Sequence, residues 1–304
     1  MSIIYVLFNP TAGSGRFLND RSAIQQFFQN DELNYFDITK IKDYDLFFKN
    51  IRTDVKLLLL GGDGTINRFV NDTDKVSFIN DVYYYPTGTG NDFYNDVADV
   101  NDPKPILINK YIKNLPTVEV NGIKRKFLNG IGYGIDGFCC EEGDKLRQKS
   151  NKPVNYTNIA IKGLIYKYTP TTATVTIDGE TSVYDKVWLI PTMNGRFFGG
   201  GIMPTPNQDR LNAEHLVSVA VMHGCNRLKT LLVFPSMFKG KHTKHTDIIK
   251  IYTVKNATVE FDRPCALQID GETILNVKKY SVSAYSSDEA PNPAQNEQEP
   301  AVLC

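Results

Sequence analysis

Cysteine is scarce in this chain and badly spaced for any task that needs cysteines in sets. The five, at positions 139, 140, 225, 265 and 304, are odd in number, two of them are adjacent, and no Cys-x-x-Cys occurs. A disulfide framework and a zinc cluster are both excluded on that pattern, and a reducing, cytoplasmic setting is expected. An excess of charge of either sign is missing too. Lys and Arg together number 34, Asp and Glu together 34, so nothing global draws the chain to nucleic acid or to an anionic surface. Long hydrophobic runs are absent: no stretch approaches the length of a membrane-spanning helix. The opening MSIIYVLFNPTAGSGR leads straight into a glycine-rich loop and does not read as a signal peptide.

What is present is an ordinary globular mixture. Hydrophobic residues make up 41% and charged residues 22% of 304, enough for a sizeable core and for two domains. Ile3–Phe8, Val55–Leu60 and Asp81–Tyr85 are short apolar runs that read as buried strands, each ending in a glycine-bearing loop. Ala23, Ile24, Phe27 and Phe28 fall at helical spacing, and Thr65 is placed to open a helix through Ile66, Phe69 and Val70. Strands alternating with helices predict an α/β domain with a mostly parallel sheet over residues 1–115. The pattern then changes. Short strands follow at 117–120, 124–129, 172–177, 183–191, 217–221, 248–254, 258–261 and 266–269, with helices at 156–167 and 228–237. Asn121-Gly122 and Asp178-Gly179 are hairpin signals. This half, 116–280, predicts a β-rich sandwich, with residues near 280–285 open to completing the first domain. Residues 286–304 are polar and Pro-bearing and read as a disordered tail.

Three loops carry the chemistry. Asn9-Pro10-Thr11-Ala12-Gly13-Ser14-Gly15-Arg16 follows the first strand, and its glycines let backbone N–H groups close on phosphate oxygens. It is no Walker A loop, since no Gly-Lys-Ser/Thr follows. Gly61-Gly62-Asp63-Gly64-Thr65 holds three glycines around one carboxylate. A carboxylate among phosphate-binding amides repels phosphate unless a cation lies between them, so Mg²⁺ is implied. Pro86-Thr87-Gly88-Thr89-Gly90-Asn91-Asp92-Phe93 adds side-chain donors and a second carboxylate. All three loops fall at carboxyl ends of strands, where open α/β sheets bind ligands.

NPTAGSGR, GGDGT and PTGTGNDF, in this order, resemble the catalytic domain of the diacylglycerol kinase family, in its bacterial soluble lipid-kinase form. Gly199-Gly200-Gly201 and Ile269-Asp270-Gly271-Glu272 are later landmarks of the same resemblance, which runs from residue 3 to about 283. GGDGT is shared with NAD kinases; Asn91-Asp92, where those enzymes have Asn-Glu, favours the lipid kinases. The resemblance implies ATP in a cleft between the two domains, its phosphates surrounded by Asn9, Thr11, Ser14, Gly15, Gly61, Gly62, Gly64, Thr65 and Thr89, with Thr39 also touching the nucleotide. It implies Asp63, Asp92 and Asp136 around a catalytic Mg²⁺. It places Asp270 and Glu272 near the acceptor hydroxyl, with Glu272 the proton acceptor. The implied partner is a lipid met at a membrane surface by transient peripheral contact, with no nucleic acid involved and a homodimer compatible. An NAD-kinase-like enzyme on a soluble substrate and a catalytically silent nucleotide- or lipid-binding regulator stay open beside it.

Ile-Asp-Gly-Glu occurs twice, at 177–180 and 269–272. The first copy lies between β-rich segments and reads as a hairpin turn; the second reads the same by itself, and only the resemblance raises it to catalytic. The family often carries a structural metal loop after the GGG segment. Here Asn212 stands where an Asp is expected and Ala213 replaces a Gly, which argues against a structural Mg²⁺ there, with Asp209 and Glu214 the nearby carboxylates. Lys239, Lys241 and Lys244 form a compact basic patch, read either as a solvated loop or as a surface for anionic headgroups. Trp188 and Tyr83–Tyr85 read as core. Phe197 and Phe198, beside the GGG turn, are expected to face a lipid mouth.

Overall fold

The computed structural model describes residues 1–10, 23–149 and 154–285. The first sheet is five-stranded, in the order β2-β1-β3-β4-β5, from β1 (Ile3–Phe8), β2 (Glu32–Asp37), β3 (Lys56–Gly61), β4 (Val82–Pro86) and β5 (Ile106–Leu107). β1 to β4 pair in parallel and β5 closes the edge antiparallel to β4. The leucine run of β3 explains the placement. Leu57 and Leu59 face one core, with Ile66, Phe69 and Tyr84, while Leu58 and Leu60 face another, with Ile4, Val6 and Ile24. A strand covered on both faces reads as a continuous apolar run. The covers are α1 (Tyr44–Lys49), α2 (Asp63–Asp72), α3 (Asp92–Val97) and α4 (Asn109–Ile112), with a helical turn at 23–27 carrying Ile24. β2 has no buried residue, and this edge position is why its sequence shows no apolar run.

The second sheet has ten strands and is antiparallel. Its main path is β13-β12-β11-β8-β14-β15-β6-β7, and β9 with β10 branches from β14. The strands are β6 (Thr117–Val120), β7 (Ile123–Lys126), β8 (Gly130–Gly134), β9 (Thr171–Ile177), β10 (Glu180–Val187), β11 (Leu189–Met193), β12 (Val217–Met222), β13 (Ile249–Val254), β14 (Asn256–Ile269) and β15 (Glu272–Ser283). β14 shifts register between Glu260 and Leu267. Its first half pairs with β9 and its second half with β8, so one strand turns the sheet onto itself. The enclosed core holds Val118, Val175, Val219, Val259 and Tyr280, with the Tyr133 and Phe261 rings stacked at 3.7 Å. The result is an antiparallel, sandwich-like unit, as expected. Outside it, α5 (Ile135–Lys149), α6 (Tyr156–Lys162) and α7 (Arg227–Val233) pack through Ile159, Leu164, Val233 and the fully buried Trp188.

Several details depart from the sequence reading. Residues 280–283 pair with β6 in the second sheet and take no part in the first. The expected strand over 183–191 is two strands, with Val187 and Leu189 at the junction. Gly130–Gly134 is a strand in spite of its three glycines, because its neighbours leave no room for side chains: a Cβ on Gly130 would lie 2.4 Å from Met193 Sδ. The tail at 286–304 lies outside the described residues.

Candidate active site

The two glycine loops of the first sheet meet backbone to backbone. A Cβ added to Gly88 would lie 2.6 Å from Gly62 Cα, and one on Gly61 would lie 2.0 Å from Thr65 Oγ1. Glycine is therefore needed at 61 and 88 for packing. Around Gly64 there is open space, as a ligand-facing position requires. α2 begins at Asp63, so its unpaired N–H groups and dipole point to the place where the loops touch. Thr65 is buried under this turn, and Thr89 is exposed at the tip of the second loop. Thr39 follows β2, with its hydroxyl donating to Asp37 Oδ1 at 2.6 Å. Asn9 follows β1 directly; Thr11, Ser14 and Gly15 lie outside the described residues.

The carboxylates have unequal tasks. Asp63 accepts from the backbone N–H of Asp92 at 2.9 Å and of Phe93 at 2.7 Å, and from Asn129 Nδ2 at 3.0 Å. It thus caps α3, the helix that opens in the next loop, and three of its roughly four lone-pair sites are occupied. Asp92 is buried and accepts from Gly200 N at 2.9 Å and Gly201 N at 2.8 Å. Burial, with the Asp63 charge beside it, pushes Asp92 up to about 6. Asp136 sits at the start of α5 in space left by Gly132, where a Cβ would lie 1.6 Å from its Oδ2. Burial pushes Asp136 up to about 7, against a smaller opposing effect of the Gln268 side chain.

Asp270 is the anchor of the Ile269–Glu272 turn. It accepts from the N–H groups of Leu128 at 2.5 Å, Asn129 at 2.8 Å and Gly130 at 3.0 Å, and from Asn67 Nδ2. Burial raises its pKa, and the three backbone donors work against that rise. Glu272 is half exposed and pairs with Arg125, whose other arm donates to Asn67 Oδ1. A continuous chain therefore runs Asp270–Asn67–Arg125–Glu272, joining the hairpin of the second sheet to the helix that carries GGDGT. Asn67 lies on the buried face of α2 and Arg125 on β7; neither had a sequence signal beyond helix and strand membership. Asp96 is equally unannounced. Its side chain is buried, and binds Arg196 Nε at 2.6 Å and Nε of the Arg210 side chain, also buried, at 2.7 Å, which ties α3 to the loops of the second sheet.

The other copy, Asp178-Gly179-Glu180, has the same backbone. φ is +46° at Asp178 and +95° at Gly179, against +47° at Asp270 and +87° at Gly271. Among the described residues, however, the Asp178 carboxylate binds only the N–H groups of Lys255 and Asn256, at the turn of the β9–β10 hairpin. Phe197 and Phe198 are corrected: both are buried, at 9% and 3% exposure, with residue 198 pairing to residue 202 and the Arg196 guanidinium lying over the Phe197 ring.

Fit to a cation differs between two places. Among the described residues no three His, Cys, Asp or Glu side chains form a ready-made metal cage. Magnesium commonly takes one or two carboxylates with phosphate oxygens and water completing the shell, so Asp92 and Asp136 suffice as an all-oxygen donor set. Asp136 Oδ2 is buried without any hydrogen-bond donor, which a cation would satisfy. Asn212 does not fit. Its Nδ2 donates to Asp209 O at 2.7 Å and Leu216 O at 2.9 Å, and its Oδ1 accepts Leu216 N at 2.8 Å. Gln208 Nε2 donates to the same two carbonyls. The oxygens that could hold an ion already face amide hydrogens.

A two-domain fold, with glycine loops meeting at a helix N-terminus and carboxylates contributed by both halves, is the class of architecture this structure defines. The comparisons agree on the class. The family description "Diacylglycerol kinase catalytic domain" matches residues 3–120, and "YegS C-terminal NAD kinase beta sandwich-like domain" matches residues 129–282. The chain belongs to this diacylglycerol kinase and YegS-type family. It is 24% identical over 218 residues to the diacylglycerol kinase of Mycobacterium tuberculosis (strain CDC 1551 / Oshkosh), covering 68% of this chain and 67% of that one. It is 22% identical over 305 residues to YtlR of Bacillus subtilis (strain 168), covering 90% and 94%. A crystal structure from Bacillus anthracis str. Sterne shares the fold at TM-score 0.64 and 18% identity, over 94% of this chain and 96% of the other.

Proposed function

We propose that the chain transfers the terminal phosphoryl group of ATP, with Mg²⁺, to a hydroxyl of a diacylglycerol-like lipid. The observation that carries this reading is the contact of Gly62 with Gly88 at the start of α2, where Asp63 holds the backbone N–H of Asp92. Phosphoryl transfer needs phosphate binding, neutralised charge and a group to take the hydroxyl proton. The N-terminus of α2 and the open backbone at Gly64 would bind phosphates, with Asn9, Thr11, Ser14, Gly15 and Thr89 around them and Thr39 at the nucleotide. Asp92 and Asp136 would hold the metal, which when bound neutralises phosphate charge; Asp63 fixes the loop that carries Asp92. Glu272 would take the proton, held in place through Arg125. A silent regulator is disfavoured by the presence of all five carboxylates.

The lipid acceptor is supported by the family match and not by any pocket shape. Among the described residues no helix is long and apolar enough to cross a membrane, so the lipid would be met by peripheral contact from the aqueous side. The test is transfer from labelled ATP to a short-chain diacylglycerol, to NAD and to no acceptor, each with and without Mg²⁺. Labelling of the lipid alone is expected. Labelling of NAD alone would replace this reading with the soluble-substrate one, and no labelling of either would refute the kinase.

A further inference from the structure

Large apolar side chains stand in solvent on one side of the second sheet. On α6 and the π-turn that follows it, Gly163–Lys167, Ile161 is 45%, Ile165 49% and Tyr166 61% exposed. On α7 and the 3₁₀ segment after it, Phe234–Lys239, Leu228 is 67%, Leu232 73% and Phe238 41% exposed. The two stretches adjoin, since Arg227 Nη1 at the start of α7 donates to Leu164 O in the π-turn at 3.1 Å. Leu228 and Leu232 are one helical turn apart and share a face. An exposed apolar patch assembled from two elements calls for a partner.

The rim indicates which partner. Lys162, Lys239, Lys241 and Lys244 are exposed, and none pairs with a carboxylate among the described residues. Lys229 and Lys167 are paired, with Asp247 and Glu142. The patch is tied to the site as well. Met203 N donates to Met237 O at 3.1 Å, which joins the 3₁₀ segment to the glycine turn whose amides hold Asp92.

We infer that the α6–α7 side of the second sheet docks onto a bilayer that carries anionic lipid, a conclusion that rests on the reading of the acceptor as a lipid. Apolar side chains ringed by uncompensated lysines match the acyl boundary and the headgroups of such a surface. A second copy of the chain is the poorer occupant: a two-fold contact would set the lysine rim against itself. Docking here would hold the glycine turn, and with it Asp92, near the headgroup layer.

The experiment is co-sedimentation of the full chain, without ATP or acceptor, with vesicles of phosphatidylcholine alone or mixed with phosphatidylglycerol, at low and high salt. Wild type is expected on the mixed vesicles at low salt. Leu228→Ser with Leu232→Ser removes two exposed side chains, leaves the melting temperature unchanged, and is expected to weaken vesicle binding by about tenfold or more. Lys239→Gln, Lys241→Gln and Lys244→Gln together are expected to weaken it by about a hundredfold at low salt and little at high salt. A wild type that ignores the mixed vesicles, or two variants that bind as well as wild type, would overturn the inference. So would a wild-type dimer that the leucine variant dissolves while vesicles are ignored. Turnover of monomeric short-chain diacylglycerol separates the two levels. Turnover without vesicle binding removes the docking face and leaves the lipid acceptor; vesicle binding without turnover supports the face and removes the acceptor.

Discussion

The Asp63 carboxylate accepts the backbone N–H of Asp92 at 2.9 Å, so that the single acid of one glycine loop caps the helix beginning in the next. Two segments that look independent in sequence are one device. Replacing Asp63 by Asn puts an amide N–H against a backbone N–H or against Asn129. The expected result is a loss of about 1–3 kcal/mol in stability together with a fall in turnover of about a hundredfold or more from misplacement of Asp92. Thermal unfolding and steady-state kinetics on the same preparation check both. Full activity with an unchanged melting temperature would remove Asp63 from the site.

Glu272 and Glu180 end the same turn in different surroundings. Glu272→Gln is expected to lower kcat by about 10²–10⁴ with little change in nucleotide affinity, the range for a general base. Glu180→Gln is expected to leave kinetics near wild type. Arg125→Lys keeps the charge but cannot hold Glu272 and Asn67 at once, and is expected to lower kcat with KM for ATP unchanged. Parallel assays of the three variants, with ATP binding measured separately, decide between this and the reverse assignment.

The pH dependence follows from burial of Asp92 and Asp136, raised to about 6 and about 7. Both bind protons more tightly folded than unfolded. Without divalent cation, their contribution to stability is full below the ordinary carboxylate range near ~4 and is lost as pH rises through about 6 and 7. Asp136→Asn is expected to flatten that decline, because its buried Oδ2 has no donor to lose. Denaturation in chelator across this window, for wild type and variant, measures it; identical pH profiles would show that Asp136 does not titrate there.

Asp96 neutralises Arg210, which is only 4% exposed, and Arg196 beside it. Asp96→Ala leaves the buried guanidinium uncompensated, with an expected cost of about 3–5 kcal/mol. Denaturant midpoints for Asp96→Ala and for Asp96→Ala combined with Arg210→Met test the cause, since removing both charges is expected to recover most of the loss.

Much of the fold was legible because its signals are local. The leucine run of β3 needs cover on both faces, and the Gly-rich loops at strand ends need small residues wherever they fold. Asn121-Gly122 and Asp178-Gly179 turn as hairpins because αL backbone suits those residues. β2 was missed because a half-buried edge strand carries no continuous apolar run. β8 was missed because Gly130 and Gly134 answer to Met193 and Trp188, brought in from a distant part of the chain that no local window contains.

The sequence by itself determined the glycine loops at 61–65 and 86–93, the alternation of strand and helix, and the two Ile-Asp-Gly-Glu turns, since each depends on steric preferences within a few residues. Only the tertiary structure decided what those residues do. The two turns share one backbone, yet Asp270 is enclosed by the amides of 128–130 and linked through Asn67 and Arg125 to Glu272, while Asp178 holds only an outer loop. Phe197 and Phe198 were assigned to a surface that the chain folds inward. The reason is the range of the forces: turn chemistry acts over four residues, whereas burial and the pairing of Asp63 with residue 92, or Asp96 with residue 210, exist only once distant segments have packed.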